Sequence, residues 1–323
     1  MKKKTINSII CRKFDEWLKS IKSSKVSSLV KENTIVTGGS IASMLLGEKV
    51  NDYDVYFKTK ETALEVAKYY AEEFNSTPSN HNTSITHHIQ EVRDGENEDE
   101  LLHSIDKDKI KIIVKSAGVA KVGKASDYEY FETIMDTDLQ GERTDEYISE
   151  VTNTDSLNKS IAELPDYHPV FVSSVAITLK NKIQLVFRFW GNPEEIHETY
   201  DFVHCTNYWT SWNRKVILNE DALESLLSKE LIFMDSKYPL SAIIRTRKFI
   251  RRGWAINAGQ YVKMAFILNS INLEDPHVLE DQLIGVDIAY FHQLIQIIKA
   301  KKEKDKDFKL TSSYLSTLID KIF

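Results

Sequence analysis

Two aspartates separated by one residue follow a glycine pair along this chain. The sequence Gly38-Gly39-Ser40 comes directly after the predicted buried strand Thr34–Thr37, and Asp52 and Asp54 follow about a dozen residues further on. Residues two apart on a strand point to the same face, so we expect both carboxylates to emerge together. Glycines let the backbone come close to a phosphate, whose charge suits backbone N–H groups at a helix N-terminus. The pattern therefore predicts an acidic site beside a phosphate-binding turn, to which Ser40 adds a hydroxyl.

Two carboxylates on one apolar strand repel each other and lose solvation unless a cation lies between them. Mg²⁺ prefers such oxygen ligands together with water and phosphate oxygens, and Mn²⁺ is an alternative. A third carboxylate from an adjacent strand would complete a site for two ions. One ion would activate an attacking hydroxyl, and the other would hold a triphosphate and the leaving pyrophosphate.

Asp201 is the candidate for this third carboxylate, on a strand predicted over Tyr200–Cys205. It would ligate the ion that activates the acceptor and could also take the acceptor's proton. Two alternatives stay open: Asp201 is a solvated strand residue, or one of Glu194, Glu195 and Glu198 takes its place. Each motif alone also has a structural interpretation, since Gly-Gly often marks only a turn and Asp-x-Asp an exposed strand edge. Their order and their apolar flanks favour the functional interpretation.

The segment from Gly38 to Gly47, followed by Asn51-Asp52-Tyr53-Asp54, resembles the signature of the DNA polymerase beta-like nucleotidyltransferase superfamily. It is most similar to the head of the CCA-adding and bacterial poly(A) polymerase group, Gly-Gly-x-Val-Arg-Asp-x-Leu-Leu-Gly-x-x-x-x-Asp-x-Asp. Ala42 and Ser43 replace the Arg and Asp of that pattern. The segments Ile183–Val186, Gly191–Ile196 and Tyr200–Phe202 resemble the third-carboxylate region of some viral and microbial members.

This resemblance implies an α+β fold, with a polymerase beta-like head of mixed sheet flanked by helices and a helical C-terminal domain. It implies Mg²⁺-dependent transfer of a nucleoside monophosphate from an NTP such as ATP to a hydroxyl, with release of pyrophosphate. RNA or a tRNA 3′ end is a candidate acceptor, as are a protein and a small molecule. The catalytic and metal-binding residues would be Asp52, Asp54 and Asp201, and Gly38, Gly39 and Ser40 would cradle the phosphates.

Hydrophobic spacing indicates the elements that must position these residues. We predict helices over 6–21, 40–46 and 61–74, and strands over 34–37, 53–57 and 110–114. A hairpin is predicted from 170–179 and 183–189, with its turn at Lys180-Asn181-Lys182. Helical patterns follow at 223–227, 240–252, 262–271 and 288–299, and a last one ends at Phe323. The predicted division is a catalytic domain over 1–218, with an insertion around 75–165, and a helical domain over 219–323.

Basic and aromatic residues supply further candidates. Arg245, Lys248 and Arg252 share one face of a predicted helix, where they could contact a triphosphate or a nucleic-acid backbone as that domain closes over the nucleotide. A solvated helix face is the alternative. Lys237 could neighbour the base or sugar. The aromatic residues Tyr208, Trp209 and Trp212 could stack on bases, with core packing as the alternative.

Composition limits the remaining classes. The chain has 323 residues, 42 basic and 48 acidic, and a net charge of −6, which argues against a nucleic-acid coat over the whole surface. Its two cysteines, Cys11 and Cys205, build neither a disulfide framework nor a four-thiolate zinc site. No apolar run approaches the roughly 20 residues that span a bilayer. We therefore expect a cytoplasmic protein without membrane contact.

The runner-up function belongs to a different class. In it the fold serves as a binding or structural component of a viral or mobile-element assembly. A further alternative is a transferase of the toxin or antibiotic type, acting on a protein or a small molecule.

Overall fold

The computed structural model describes residues 1–76, 87–92, 109–114, 164–172 and 176–273, together with scattered positions beyond 273. The chain divides into two compact units. Of the described residues, unit 1 comprises those within 1–114, 164–198 and 204–227, and unit 2 comprises 199–203 and those from 228 onward. Most of the predicted insertion around 75–165 and most of the two last predicted helices lie outside the described residues.

Unit 1 is built on a seven-stranded mixed sheet. Its described elements are α1 (Lys3–Ser20), α2 (Ser24–Asn33), β1 (Thr34–Thr37), α3 (Gly39–Leu46), β2 (Tyr53–Phe57), α4 (Lys60–Asn75), β3 (His87–Val92), β4 (Lys109–Val114), β5 (Pro169–Val172), β6 (Ala176–Leu179), β7 (Ile183–Trp190), α5 (Pro193–His197), β8 (Tyr208–Thr210), β9 (Lys215–Ile217) and α6 (Glu220–Ser228). The strand order is β5-β6-β7-β2-β1-β8-β9, and β3 and β4 form a separate antiparallel pair.

The sheet is mixed because β2 pairs in parallel with β7, whereas the other neighbouring strands in it pair antiparallel. A tight turn joins β6 to β7, with Asn181 and Lys182 at φ of 72° and 66°, as a hairpin turn of the type I′ class requires. The mixed sheet with flanking helices and a helical C-terminal region confirms the predicted α+β fold.

The helices of unit 1 cover one face of the sheet through regularly spaced apolar residues. On α1 these are Ile6, Ile10, Phe14 and Trp17, three or four residues apart and buried. Trp17 donates its indole N–H to the Tyr70 hydroxyl of α4 at 2.8 Å, which satisfies both polar atoms inside the core. Ser23 and Thr59 cap α2 and α4 by accepting from the backbone N–H groups three residues later.

Unit 2 contains the helices α7 (Pro239–Arg251) and α8 (Ala258–Leu268), close to the ranges that the sequence predicts. Residues 199–203 belong to this unit through backbone bonds to a later segment. Val203 N–H donates to Ile232 O, and Met234 N–H donates to Asp201 O, both at 3.0 Å. The described helices include none that is both long and apolar enough to cross a lipid bilayer.

The predicted strand over Tyr200–Cys205 is wrong. Phe202 makes only an isolated bridge with Phe233, and Val203–Cys205 then forms a 3₁₀ turn. The strand that pairs with β1 on this side is β8, a few residues later, and β9 follows it. Helix α2 and strands β3, β8 and β9 are elements that the sequence pattern did not indicate.

Candidate functional site

The Asp54 carboxylate lies directly against the backbone of Gly38. Gly38 follows β1 and caps α3 at φ 84° and ψ −154°, a conformation that is essentially restricted to glycine. A Cβ atom built on Gly38 would lie 2.5 Å from Asp54 Oδ2. The Gly38 N–H donates to Cys205 O at 3.1 Å, which ties the turn to a later segment of unit 1. Gly38 therefore makes room for the Asp54 side chain. This contact was not predicted from the sequence.

Gly39 and Ser40 form the first turn of α3. Gly39 begins the helix, and a Cβ atom there would meet nothing within 4 Å. Gly38 is the cap residue of α3, and Ser40 lies inside the helix. The Ser40 hydroxyl is 2% exposed and has no hydrogen-bond partner among the described residues. A buried hydroxyl without a partner is costly, so this oxygen is suited to a ligand at the helix N-terminus.

Asp54 also stands in a row of polar side chains that crosses the sheet. Strand pairing sets it opposite Thr37 of β1 on one side and Gln184 of β7 on the other. Gln184 in turn pairs with Thr178 of β6. Paired residues point to the same face, so these four side chains share one face of the sheet. Asp52 immediately precedes β2 and is half-buried.

The neighbouring row, shifted by one residue along each strand, points to the opposite face and is apolar. It consists of Trp209, Val36, Val55, Leu185 and Ile177, which pair in that order and are all buried. This alternation assigns one face of the sheet to the core beneath α1, α2 and α4. The polar row on the other face is therefore not part of that core.

A buried histidine anchors the Thr37 end of the polar row. The Thr37 hydroxyl lies 2.8 Å from His197 Nε2 and within hydrogen-bond distance of two carbonyl oxygens, Asn207 O at 3.1 Å and Cys205 O at 3.3 Å. The single hydroxyl proton goes to a carbonyl, since a carbonyl only accepts, and His197 therefore donates from Nε2. Burial lowers the pKa of His197 to about 4, which keeps the ring neutral near pH 7.

The predicted aromatic candidates divide between the core and the face of the sheet that carries the polar row. Trp209 is fully buried and packs on Phe14, with ring centroids 5.1 Å apart. Tyr208 packs against the His197 ring at 5.7 Å and donates to Glu194 at 3.5 Å, and burial raises its pKa. Trp212 is 37% exposed beneath the Lys58 ammonium group. The core interpretation thus holds for Trp209.

Asp201 and Arg245, to which the sequence analysis gave separate roles, form an ion pair within unit 2. Arg245 donates from Nη1 to Asp201 Oδ2, and the Asp201 side chain is only 5% exposed. Its other oxygen, Oδ1, is buried and has no hydrogen-bond partner among the described residues. A buried carboxylate requires a cation, and here the arginine of α7 supplies it.

The other predicted basic residues also belong to unit 2. Lys248 and Arg252 lie beside the Phe249 ring, 5.2 Å and 5.8 Å from its centroid. Lys237 is half-buried, and its carbonyl accepts from Gln282 Nε2 at 2.7 Å. Among the described residues no group of three or more His, Cys, Asp or Glu side chains is gathered so that it could hold a metal ion.

Two residues at the polar row were not predicted from the sequence as individual candidates. His197 follows an Asn-Pro turn on a five-residue helix, where nothing in the sequence indicates that its ring reaches β1. Gln184 lies on a strand that was predicted correctly, but only the parallel pairing of β7 with β2 sets it beside Asp54. Both depend on contacts between distant parts of the chain.

The structure thus defines an α+β protein whose mixed sheet carries an acidic site beside a glycine turn. The sequence pattern of the Gabija anti-defense 2 family matches residues 8–229, and the chain belongs to this family. A curated relative, "Gabija anti-defense 2" of Bacillus phage SPbetaL7, is 23% identical over 152 residues. That alignment covers 46% of this chain and 36% of the relative, so the chain matches about a third of the relative's length.

Solved structures of tRNA-processing enzymes show a weak likeness. The Thermotoga maritima CCA-adding enzyme in complex with tRNA is 12% identical, with a TM-score of 0.36, over 93% of this chain and 57% of that enzyme. A tRNA nucleotidyltransferase with a primer tRNA and an ATP analogue is 13% identical, with a TM-score of 0.33, over 88% and 62%. At these scores the similarity is too weak to identify a fold or an activity.

Proposed function

We propose that this protein is a metal-dependent nucleotidyltransferase with which a phage counters the Gabija defence. The chemical part rests on one observation, the Asp54 carboxylate packed against Gly38 at the start of α3, with the buried Ser40 hydroxyl two residues further along the chain. The biological part rests on membership of the Gabija anti-defense 2 family. The class of enzyme agrees with the resemblance of the Gly38–Asp54 signature to polymerase beta-like enzymes.

The residues present fit a divalent cation. Two carboxylates, Asp52 and Asp54, stand at the start of one strand, and the backbone at Gly38 leaves the space that Asp54 Oδ2 occupies. Hard oxygen ligands of this kind suit Mg²⁺ or Mn²⁺. When bound there, such an ion supplies charge neutralisation for a triphosphate and its leaving pyrophosphate. Asp52 and Asp54 would hold it, and we assign Asp201 to its ion pair with Arg245.

The protein's own groups would bind and orient the nucleotide. The first N–H groups of α3, at Gly39 and Ser40, lack helical partners and carry the positive end of the helix dipole, which favours phosphate oxygens. The Ser40 hydroxyl would donate to the same phosphates and gain the partner that it lacks among the described residues. An acceptor hydroxyl would then attack the α-phosphorus and lose its proton to solvent, and pyrophosphate would leave.

Transfer of label from radioactive NTPs tests the chemical part. The chain is incubated with each NTP, Mg²⁺ or Mn²⁺, and pools of RNA, protein and small-molecule acceptors. We expect labelled product with the wild type and only background with Asp54→Asn, which keeps the shape of the side chain but removes its charge. Glu65→Gln is the matched control, because Glu65 pairs with Lys25 on the exposed surface and should not affect transfer. Equal labelling by Asp54→Asn and the wild type would contradict the proposal.

A phage challenge tests the biological part. Bacteria that carry a Gabija system are infected with a phage that the system restricts, with and without expression of this chain. We expect the wild type and Glu65→Gln to restore phage growth and Asp54→Asn to fail at equal expression. Restoration by Asp54→Asn would leave the anti-defence role intact and would favour the binding-protein alternative over the enzyme.

A further inference from the structure

Gln184 is the neighbour of Asp54 on the adjacent parallel strand. The two residues are register partners in the pairing of β2 with β7, and β7 is an interior strand of the sheet. Neighbouring strands lie about 4.8 Å apart, so the two side chains stand side by side on one face. The Gln184 side chain is half-buried, and its carboxamide makes no hydrogen bond with another described residue.

This position is not an ordinary solvent-facing site on a sheet. One row further along, the same face carries Ile35, Tyr56 and Ala176, which are 0%, 9% and 7% exposed. Val186, which follows Gln184 on the same face of β7, is half-buried, so this face is largely covered beyond the polar row. Gln184 lies in the polar row next to Asp54. A half-buried amide with two N–H donors beside a carboxylate is suited to a ligand.

The chemical difference between an amide and a carboxylate indicates the kind of ligand. A carboxylate beside Asp54 would add a second negative charge on neighbouring strands and would require a further cation. An amide adds none, and its N–H groups donate to anionic oxygens. Gln184 is thus suited to bind a negatively charged group of a ligand and not to ligate a metal ion.

We infer that Gln184 contacts the bound nucleotide, donating from its side-chain amide to a phosphate oxygen held beside Asp54. This inference rests on the proposed function and adds to it a residue that selects the charge of the ligand. It also implies that the strand next to Asp54 does not supply the third acidic ligand expected in a two-ion site.

Calorimetric titration of the full chain with a non-hydrolysable NTP analogue at fixed Mg²⁺ tests the inference. Gln184→Glu keeps the size of the side chain but exchanges the donors for a negative charge, and Gln184→Ala removes the donors alone. We expect Gln184→Ala to bind the analogue about tenfold more weakly and Gln184→Glu more weakly still. Titration with Mn²⁺ alone should show tighter binding by Gln184→Glu than by the wild type, because a carboxylate is added beside Asp54.

Ser28→Glu is the charge control, since it adds the same single charge on the exposed side of α2 and should bind the analogue as the wild type does. Wild-type affinity for the analogue in either Gln184 variant would overturn the inference and leave the proposed function standing. A wild type that binds no nucleotide would overturn both. Melting temperatures measured without ligand should be equal among the variants, which separates lost contacts from lost folding.

Discussion

Replacement of Gly38 by alanine should disable the site by two separable effects. The backbone at Gly38, with φ 84° and ψ −154°, is strained for any L-residue, at a cost of about 1–3 kcal/mol in the free energy of unfolding. The added methyl group would also lie 2.5 Å from Asp54 Oδ2, closer than nonbonded atoms approach, so the carboxylate must move. A displacement of about 1 Å in an active site can reduce the rate about a hundredfold.

Two other glycines separate these effects. Gly47 ends α3 at φ 77°, and a Cβ atom there would meet nothing within 4 Å. Gly47→Ala should therefore cost about 1 kcal/mol in stability and leave nucleotidyl transfer unchanged. Gly39→Ala adds a methyl group in open space at the start of the helix and should change stability little.

The assay combines urea unfolding with label transfer and analogue binding at matched concentrations of folded protein. We expect Gly38→Ala to lose about a hundredfold in transfer, and Gly47→Ala to retain the wild-type rate at a comparable backbone cost. If Gly38→Ala were as active as Gly47→Ala, the contact between Gly38 and Asp54 would have no part in the chemistry, and the assignment of the site would be refuted.

Two further predictions concern buried ionisable groups. The lowered pKa of His197, about 4 against 6.5 in the unfolded chain, means that the unfolded state takes up the proton first as the pH falls. The free energy of unfolding should therefore decrease by about 3 kcal/mol between pH 6.5 and 4 through this residue, and urea titrations of His197→Gln should lack that component. Arg245→Met should destabilise unit 2 by about 3 kcal/mol or more, because it leaves the Asp201 carboxylate buried without its cation. Hydrogen exchange at residues 230–234 should increase in that variant and recover when Asp201→Asn is added, whereas equal exchange in all three proteins would contradict the pairing.

The sequence predicted those parts of the site that depend on local chain geometry. Gly38, Asp54 and the helix between them lie within a short segment, so turn chemistry and strand alternation were sufficient to bring them together. Even there, the reason for glycine at position 38 emerged only from the structure, because it depends on contact between the turn and the strand that returns beside it.

The parts that sequence reasoning missed depend on long-range pairing. A strand was predicted around Asp201 from its apolar neighbours. One of them, Phe202, packs against Phe249 of unit 2 and does not belong to a strand of the sheet. The role of Gln184 depends on the register of β7 against β2, and a shift of one residue would turn it to the opposite face. Hydrophobic spacing contains no information about which strands become neighbours.

The excursion of residues 199–203 has a practical consequence for dissecting this protein. Among the described residues, the chain passes from unit 1 into unit 2 and back at 199–203, and only after residue 227 does it continue in unit 2. A truncated chain that stops at residue 229, where the family match ends, would retain Asp201 and Phe202 but lose Arg245 and Phe233, their partners. An acidic group and an aromatic ring would then be exposed in the middle of the remaining polypeptide. Such a fragment should aggregate, and loss of activity on truncation would say nothing about catalysis by the missing helices.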